Sequence, residues 1–119
     1  MSLGNNSPPE IYETVMEQDV MVAARDGTLL ATDLHRPAQA GRPLPGPFPA
    51  LLQRTPYDKS GPQARLGTID PIRAAMSGYA VVIQDTRGRF KSEGEFYPLR
   101  DDGWGEHRDG YDTIEWLAA

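Results

Sequence analysis

Hydrophobic and polar positions first fall into order between Met16 and Leu34. Val20 and Val22 alternate with polar or small neighbours, the pattern breaks at Arg25-Asp26-Gly27, and Leu30, Thr32 and Leu34 alternate again. Two alternating runs around an Asp-Gly predict an antiparallel hairpin, because a period of two lines one face and glycine accepts the positive φ of a tight turn. Ala50-Leu51-Leu52-Gln53-Arg54 and Tyr79-Ala80-Val81-Val82-Ile83-Gln84 are instead continuous apolar runs. Runs of that kind predict strands covered on both faces, as in a parallel sheet. The stretch RPAQAGRPLPGPFP (36–49), with five prolines and two glycines, predicts a surface connection, since proline withholds a ladder donor.

Two helices follow from the same reading. Asp70 suits an N-cap, Pro71 the first helical position and Gly78 the stop, while Ile72, Ala75 and Met76 fall on one apolar face. In GEHRDGYDTIEWLAA (105–119), Tyr111, Ile114, Leu117 and Ala118 mark the predicted inward face, with Trp116 beside it. The order is hairpin, strand, helix, strand, helix, which is an α/β pattern. A helix after a strand should return the chain to another parallel strand, and none follows. The sequence therefore reads as the opening portion of an α/β domain with an incomplete sheet, residues 16–119, preceded by a flexible arm over residues 1–15.

Composition narrows the class. The 119 residues suit one domain, and 39 % apolar residues with 12 glycines suit a globular one. A net charge of −5 argues against nucleic acid as a partner. Arg87, Arg89 and Lys91 around Phe90 are offset by Glu93 and Glu95. No apolar run approaches eighteen residues, so no membrane partner is expected, and no signal peptide is visible, so a cytoplasmic location is expected. Cysteine is absent, which removes disulfides, thiolate zinc sites and cysteine nucleophiles. Asp101, Asp102, Glu106, His107 and Asp109 match neither an EF-hand nor His-Glu-x-x-His spacing, and read as a solvated helix start rather than a metal site. Gly103-x-Gly105 lacks the third glycine and the preceding strand of a phosphate loop. No cofactor and no metal are expected.

Four blocks in order then carry a resemblance: VMVAARDGTLLATDLHRP (20–37), ALLQRTPYDKSG (50–61), GYAVVIQDTRGRFKSEGEFYP (78–98) and DGYDTIEWLAA (109–119). Together they resemble the amino-terminal part of the cocaine esterase and X-prolyl dipeptidyl-peptidase family of serine hydrolases, which includes α-amino-acid ester hydrolases and acylases. The resemblance implies an α/β-hydrolase fold. It also implies a nucleophilic serine on a Gly-x-Ser-x-Gly elbow after the next strand, with Asp and His further on. Of the five serines, Ser2, Ser7, Ser60, Ser77 and Ser92, none has glycines at both elbow positions; Ser92 has Gly94 two residues on, but Phe90 stands where the leading glycine belongs. His35 and His107 precede the point at which the elbow would come. The expectation is a fragment that lacks the triad and is itself inactive.

One role carries over by position. The tyrosine of the family's Pro-Tyr-Asp segment offers its hydroxyl to the oxyanion, and here that residue is Tyr57. Asp58-Lys59 read as a solvated loop, and Asp85 and Arg87 as a pair that buttresses the loop bearing Tyr57, with Gly88 providing the turn. The competing reading of the chain is a free-standing, non-catalytic binding or assembly module on a borrowed scaffold. In the fragment the strand at 50–55 becomes an exposed sheet edge, and self-association through it is expected.

Overall fold

The computed structural model describes residues 11–61, 70–96 and 108–118. Through them run β1 (Glu13–Ala23), β2 (Leu29–Gln39), β3 (Arg42–Pro43), β4 (Ala50–Thr55), α1 (Pro71–Met76), β5 (Ala80–Asp85) and α2 (Asp109–Ala118). β1 starts at Glu13, inside the stretch 1–15 read as an arm, and residues 1–10 lie outside the described residues.

The hairpin forms where alternation and the Asp-Gly break place it. β1 and β2 pair antiparallel from Glu13↔Ala38 to Ala23↔Leu29. The Gly27 amide donates to the Ala24 carbonyl at 2.8 Å, with Gly27 at φ +87°. The register shifts between Glu17 and Val20, a bulge in which Asp19 adopts φ +56°. The proline-rich stretch is more regular than its composition predicts. β2 continues through Pro37 to Gln39, turns over Ala40 and Gly41, both at positive φ, and returns as β3. Two successive left-handed residues form the turn whose twist matches that of the strands. Pro37 gives up only its donor; its carbonyl still accepts the Leu44 amide at 2.9 Å.

The sheet order is β1-β2-β5-β4, with β2 antiparallel to β5 and β4 parallel to β5. The β4–α1–β5 unit is thus the predicted parallel pair with its crossover helix. β5 is buried from Val81 to Asp85, as its continuous apolarity requires. β4 is only half-buried from Leu51 to Arg54, because it is the end strand and no described residue pairs with its outer edge. By register, Asp33, His35, Val81, Ile83 and Asp85 face one side of the sheet; Thr32, Leu34, Val82 and Gln84 face the other.

α1 lies on the first side, with Ala74 packed against Val81 and Ile83. Its start is as predicted: the Asp70 side chain accepts the Arg73 amide at 3.2 Å and Pro71 opens the helix. Its inward face is as predicted at Ala75, with Met76 half-buried, but not at Ile72. Pro71 and Ala75 are buried and Ile72 is 46 % exposed. Burying two residues one turn apart carries Ile72 about 100° round the axis.

α2 overturns its prediction more completely. Tyr111 and Ile114 are more than half exposed and Ala118 is exposed, whereas Asp109 and Thr113, four residues apart, are fully buried. The helix docks by its polar side. The Thr113 hydroxyl donates to Gln84 Oε1 at 3.1 Å, and Gln84 Nε2 in turn donates to the Thr32 hydroxyl at 3.0 Å. Arg25 forms a two-pronged contact with Asp112, and Arg87 another with Asp109. Charge pairing between fixed partners decides the orientation here; it leaves Tyr111 and Ile114 exposed, while Leu117 is half-buried over a cavity it shares with Leu34 and Val82 of the sheet. No helix among the described residues is long and apolar enough to cross a membrane.

Candidate functional site

β4 delivers Thr55 to the carboxyl end of the parallel pair, the end at which open α/β sheets place their ligands. Thr55 is buried; its hydroxyl accepts the Tyr57 amide at 3.0 Å and its carbonyl accepts the Thr86 amide at 3.0 Å. Pro56 fixes its own φ and restrains Thr55 to extended geometry. Tyr57 then emerges 62 % exposed.

With so little of the ring packed, its direction is set by the backbone on either side, and that backbone is anchored at three points. Arg89 Nε donates to the Pro56 carbonyl at 2.9 Å, and its guanidinium lies 5.0 Å from the ring centres of both Phe90 and Phe96. The Lys59 amide donates to Asp85 Oδ1 at 2.8 Å, while the Lys91 amide takes Oδ2 at 3.2 Å. The Lys59 ammonium reaches back to Asp19 Oδ1 in the β1 bulge at 2.5 Å and to Asp33 Oδ1 in β2 at 3.1 Å. Between Tyr57 and Lys59, Asp58 sits at φ +76°, a region Asp tolerates better than most residues. Its carboxylate accepts the Ser60 amide at 3.0 Å.

The charges of this frame follow from burial and pairing. Burial drives the Lys59 ammonium down, but its bonds to Asp19 and Asp33 outweigh that and hold its pKa above the ordinary lysine value. Burial pushes the Asp85 carboxyl up, and the amides of Lys59 and Lys91 oppose it without cancelling it. A carboxyl raised in the folded state binds more protons there than when unfolded. This site alone therefore adds stability as pH falls through the window between its folded value and about 3.9. Replacing Asp85 with asparagine leaves one acceptor for two amides and sets an NH₂ against the other. Asp85→Asn is expected to cost about 1–3 kcal/mol in urea unfolding and to speed hydrogen exchange at the Lys59 or Lys91 amide.

Asp85 thus buttresses the Tyr57 loop as expected, but Arg87 does not. Its five N–H donors go to Asp109, Asp26 and the Thr28 hydroxyl at 2.8–3.1 Å, tying the hairpin turn to α2. Gly88 does provide a turn, at φ +74°, and a Cβ there would lie 2.3 Å from the Phe96 nitrogen. Lys59, read as part of a solvated loop, is buried, and so is Asp109, read as part of a solvated helix start. Asp101, Asp102, Gly103, Gly105, Glu106 and His107 lie outside the described residues. Among the described residues no cluster of three or more His, Cys, Asp or Glu is placed to hold a metal ion. Ser92 is buried, accepting the Ala31 amide at 2.8 Å and donating to the Asp85 carbonyl at 2.7 Å, so it holds β5 to β2. Arg89 was missed as a support of the loop; its one legible sign is the phenylalanine that follows it.

Comparison with known proteins fits this geometry. The family model of the X-Pro dipeptidyl-peptidase (S15 family) matches residues 26–119. The cocaine esterase of Rhodococcus sp. (strain MB1 Bresler) is 47 % identical over 100 residues, which are 83 % of this chain and 16 % of that protein. Among solved structures, a CocE/NonD family hydrolase from Staphylococcus aureus superposes with a TM-score of 0.69 at 32 % identity, over 88 % of this chain and 20 % of its own. An α-amino acid ester hydrolase superposes with a TM-score of 0.64 at 31 % identity, over 94 % of this chain and 20 % of its own. An aminopeptidase from a marine sediment Thaumarchaeota archaeon gives 0.64 at 26 % identity, again over 20 % of its length. The chain therefore belongs to the X-Pro dipeptidyl-peptidase (S15) family of hydrolases, and its strands and helices are the opening part of that family's α/β-hydrolase sheet.

Proposed function

We propose that this segment supplies one wall of the active site of a serine hydrolase that cleaves esters or amides by acyl transfer, with the Tyr57 hydroxyl as an oxyanion donor. The observation that carries the reading is the exposed Tyr57 at the carboxyl end of β4, aimed by an anchored backbone, in a chain of a hydrolase family. The named relatives act on esters or on peptide-like bonds, which share the same chemistry at the carbonyl. An attacking hydroxyl oxygen adds to the carbonyl carbon, a base takes its proton, and the C=O pair moves onto oxygen. Tyr57 donates to that oxyanion. Collapse restores the carbonyl and expels the alkoxide or amine, which leaves with a proton. A fixed donor of this kind supplies about 3–4 kcal/mol, because its dipole is in place before the charge develops.

In this proposal the nucleophile, base and acid are contributed by chain outside these 119 residues, and the 119-residue polypeptide is inactive. Purified polypeptide is expected to leave a p-nitrophenyl ester untouched, while a full-length hydrolase carrying the segment turns it over with an acyl-enzyme burst. Saturable turnover by the polypeptide itself, with contaminants excluded by active-site titration, would overturn the reading. Alone, the polypeptide is proposed to pair with a second copy through the outer edge of β4. Sedimentation velocity at assay concentration is then expected to show a dimer or larger species, and a monomer would contradict the pairing.

A further inference from the structure

Burying a lysine beside two aspartates is a poor way to gain stability, since desolvation opposes the attraction and apolar residues of similar volume do as well or better. Lys59 is nevertheless buried to 1 % side-chain exposure, with its ammonium on Asp19 and Asp33. The β1 strand departs from its ladder to make this contact. At the bulge Asp19 takes φ +56°, and its amide, lost to the ladder, donates to Asp33 Oδ1 at 3.0 Å, the same oxygen that holds Lys59. Bulges re-aim side chains at sites, and this one aims a carboxylate at a residue two positions from Tyr57. Lys59 is fixed at both ends: its amide on Asp85 of β5, its ammonium on β1 and β2. The Tyr57 ring, mostly in solvent, has no comparable anchor in its own packing.

We infer that Lys59 is a positioning residue for the Tyr57 hydroxyl, and that the Asp19 bulge is the latch that holds it; this rests on the oxyanion role proposed above. The ion triad ties the loop after β4 to β1 and β2, and the Lys59 amide ties it to β5, so that Tyr57 meets the reacting carbonyl without reorganising.

The test uses a full-length hydrolase carrying the segment, a p-nitrophenyl ester, and Lys59→Met and Asp19→Asn, each alone and combined with Tyr57→Phe. Lys59→Met is expected to lower kcat roughly ten- to a hundredfold with KM within about twofold, because misplacement by about an ångström has effects of that size. Asp19→Asn is expected to lower kcat by roughly three- to tenfold, since the ammonium keeps Asp33. With the Tyr57 hydroxyl gone, neither substitution is expected to lower kcat further by more than about twofold, since there is no donor left to misplace. Should Lys59→Met fail to fold, Asp19→Asn decides, because Asp19 is 40 % exposed and asparagine accepts its backbone conformation. The inference is overturned if either substitution costs the same factor with and without the Tyr57 hydroxyl, or if both leave kcat unchanged. A Tyr57→Phe enzyme with normal kcat would instead remove the oxyanion reading itself, a result distinguishable from the other two.

Discussion

Replacing Arg87 with alanine is expected to lower the unfolding free energy by about 3–5 kcal/mol, the cost of leaving a buried carboxylate without its partner. That carboxylate is Asp109, fully buried at the first turn of α2 and bound by Arg87 through Nε and Nη2 at 2.8 Å each. The opposite edge of the same guanidinium holds Asp26, so the one side chain joins the hairpin turn to the second helix. Urea unfolding measures the loss. Two comparisons separate pairing from packing. Arg87→Lys keeps a charge but cannot form two forked contacts, and should fall between wild type and alanine. Arg87→Met with Asp109→Leu should recover most of the loss, since no unpaired charge remains. The pH dependence has a definite sign. Arg87 holds the Asp26 carboxyl well below the usual carboxylate range, and Arg25 does the same for Asp112. A depressed carboxyl adds stability above its unfolded pKa of about 3.9 and loses it as pH falls through the folded value. The Arg87→Ala variant lacks the Asp26 share from the outset, so its deficit is expected to narrow in acid. A deficit below about 1 kcal/mol at neutral pH would show that the network is not what seats α2.

Tyr57→Phe in a full-length hydrolase carrying the segment is expected to lower kcat by about 10²–10³-fold on a p-nitrophenyl ester. The hydroxyl acts on charge that exists only after attack, so KM should change little while kcat and kcat/KM fall together. Stability should not follow, because the ring is 62 % exposed and phenylalanine keeps the same shape. Unfolding curves for the two enzymes should superimpose within about 0.5 kcal/mol. A kcat within threefold of wild type would leave the position without a part in the chemistry.

The strands were legible because their signals are local. Alternation and Asp-Gly locate β1 and β2, and two continuous apolar runs locate β4 and β5 within a residue. Asp70, Pro71 and Gly78 bracket α1 for the same reason. What the pattern could not show was which face of each helix meets the sheet. For α2 the periodicity of Tyr111, Ile114 and Leu117 is real, yet the contacts that seat the helix come from Arg25, Gln84 and Arg87, which lie 87, 29 and 22 positions from their partners in the helix. The candidate site divides in the same way. Tyr57 could be singled out from its neighbours in sequence, and Asp85 from its place at the end of β5. Lys59 and Asp19 could not, because a lysine between Asp and Ser reads as solvated until the fold carries a bulge forty residues upstream into reach.

The outer flank of β4, which no described residue pairs, also suggests to a protein engineer where, on the proposed reading, a hydrolase carrying this segment would divide. Six residues of extended main chain, held straight by β5 on the other side, would on that reading serve as a docking rail that needs no redesigned side chains. On the proposed reading, a two-piece enzyme cut beyond residue 119 would carry the oxyanion donor on one half and the attacking oxygen on the other. Hydrolysis would then report the reunion of the halves and nothing else.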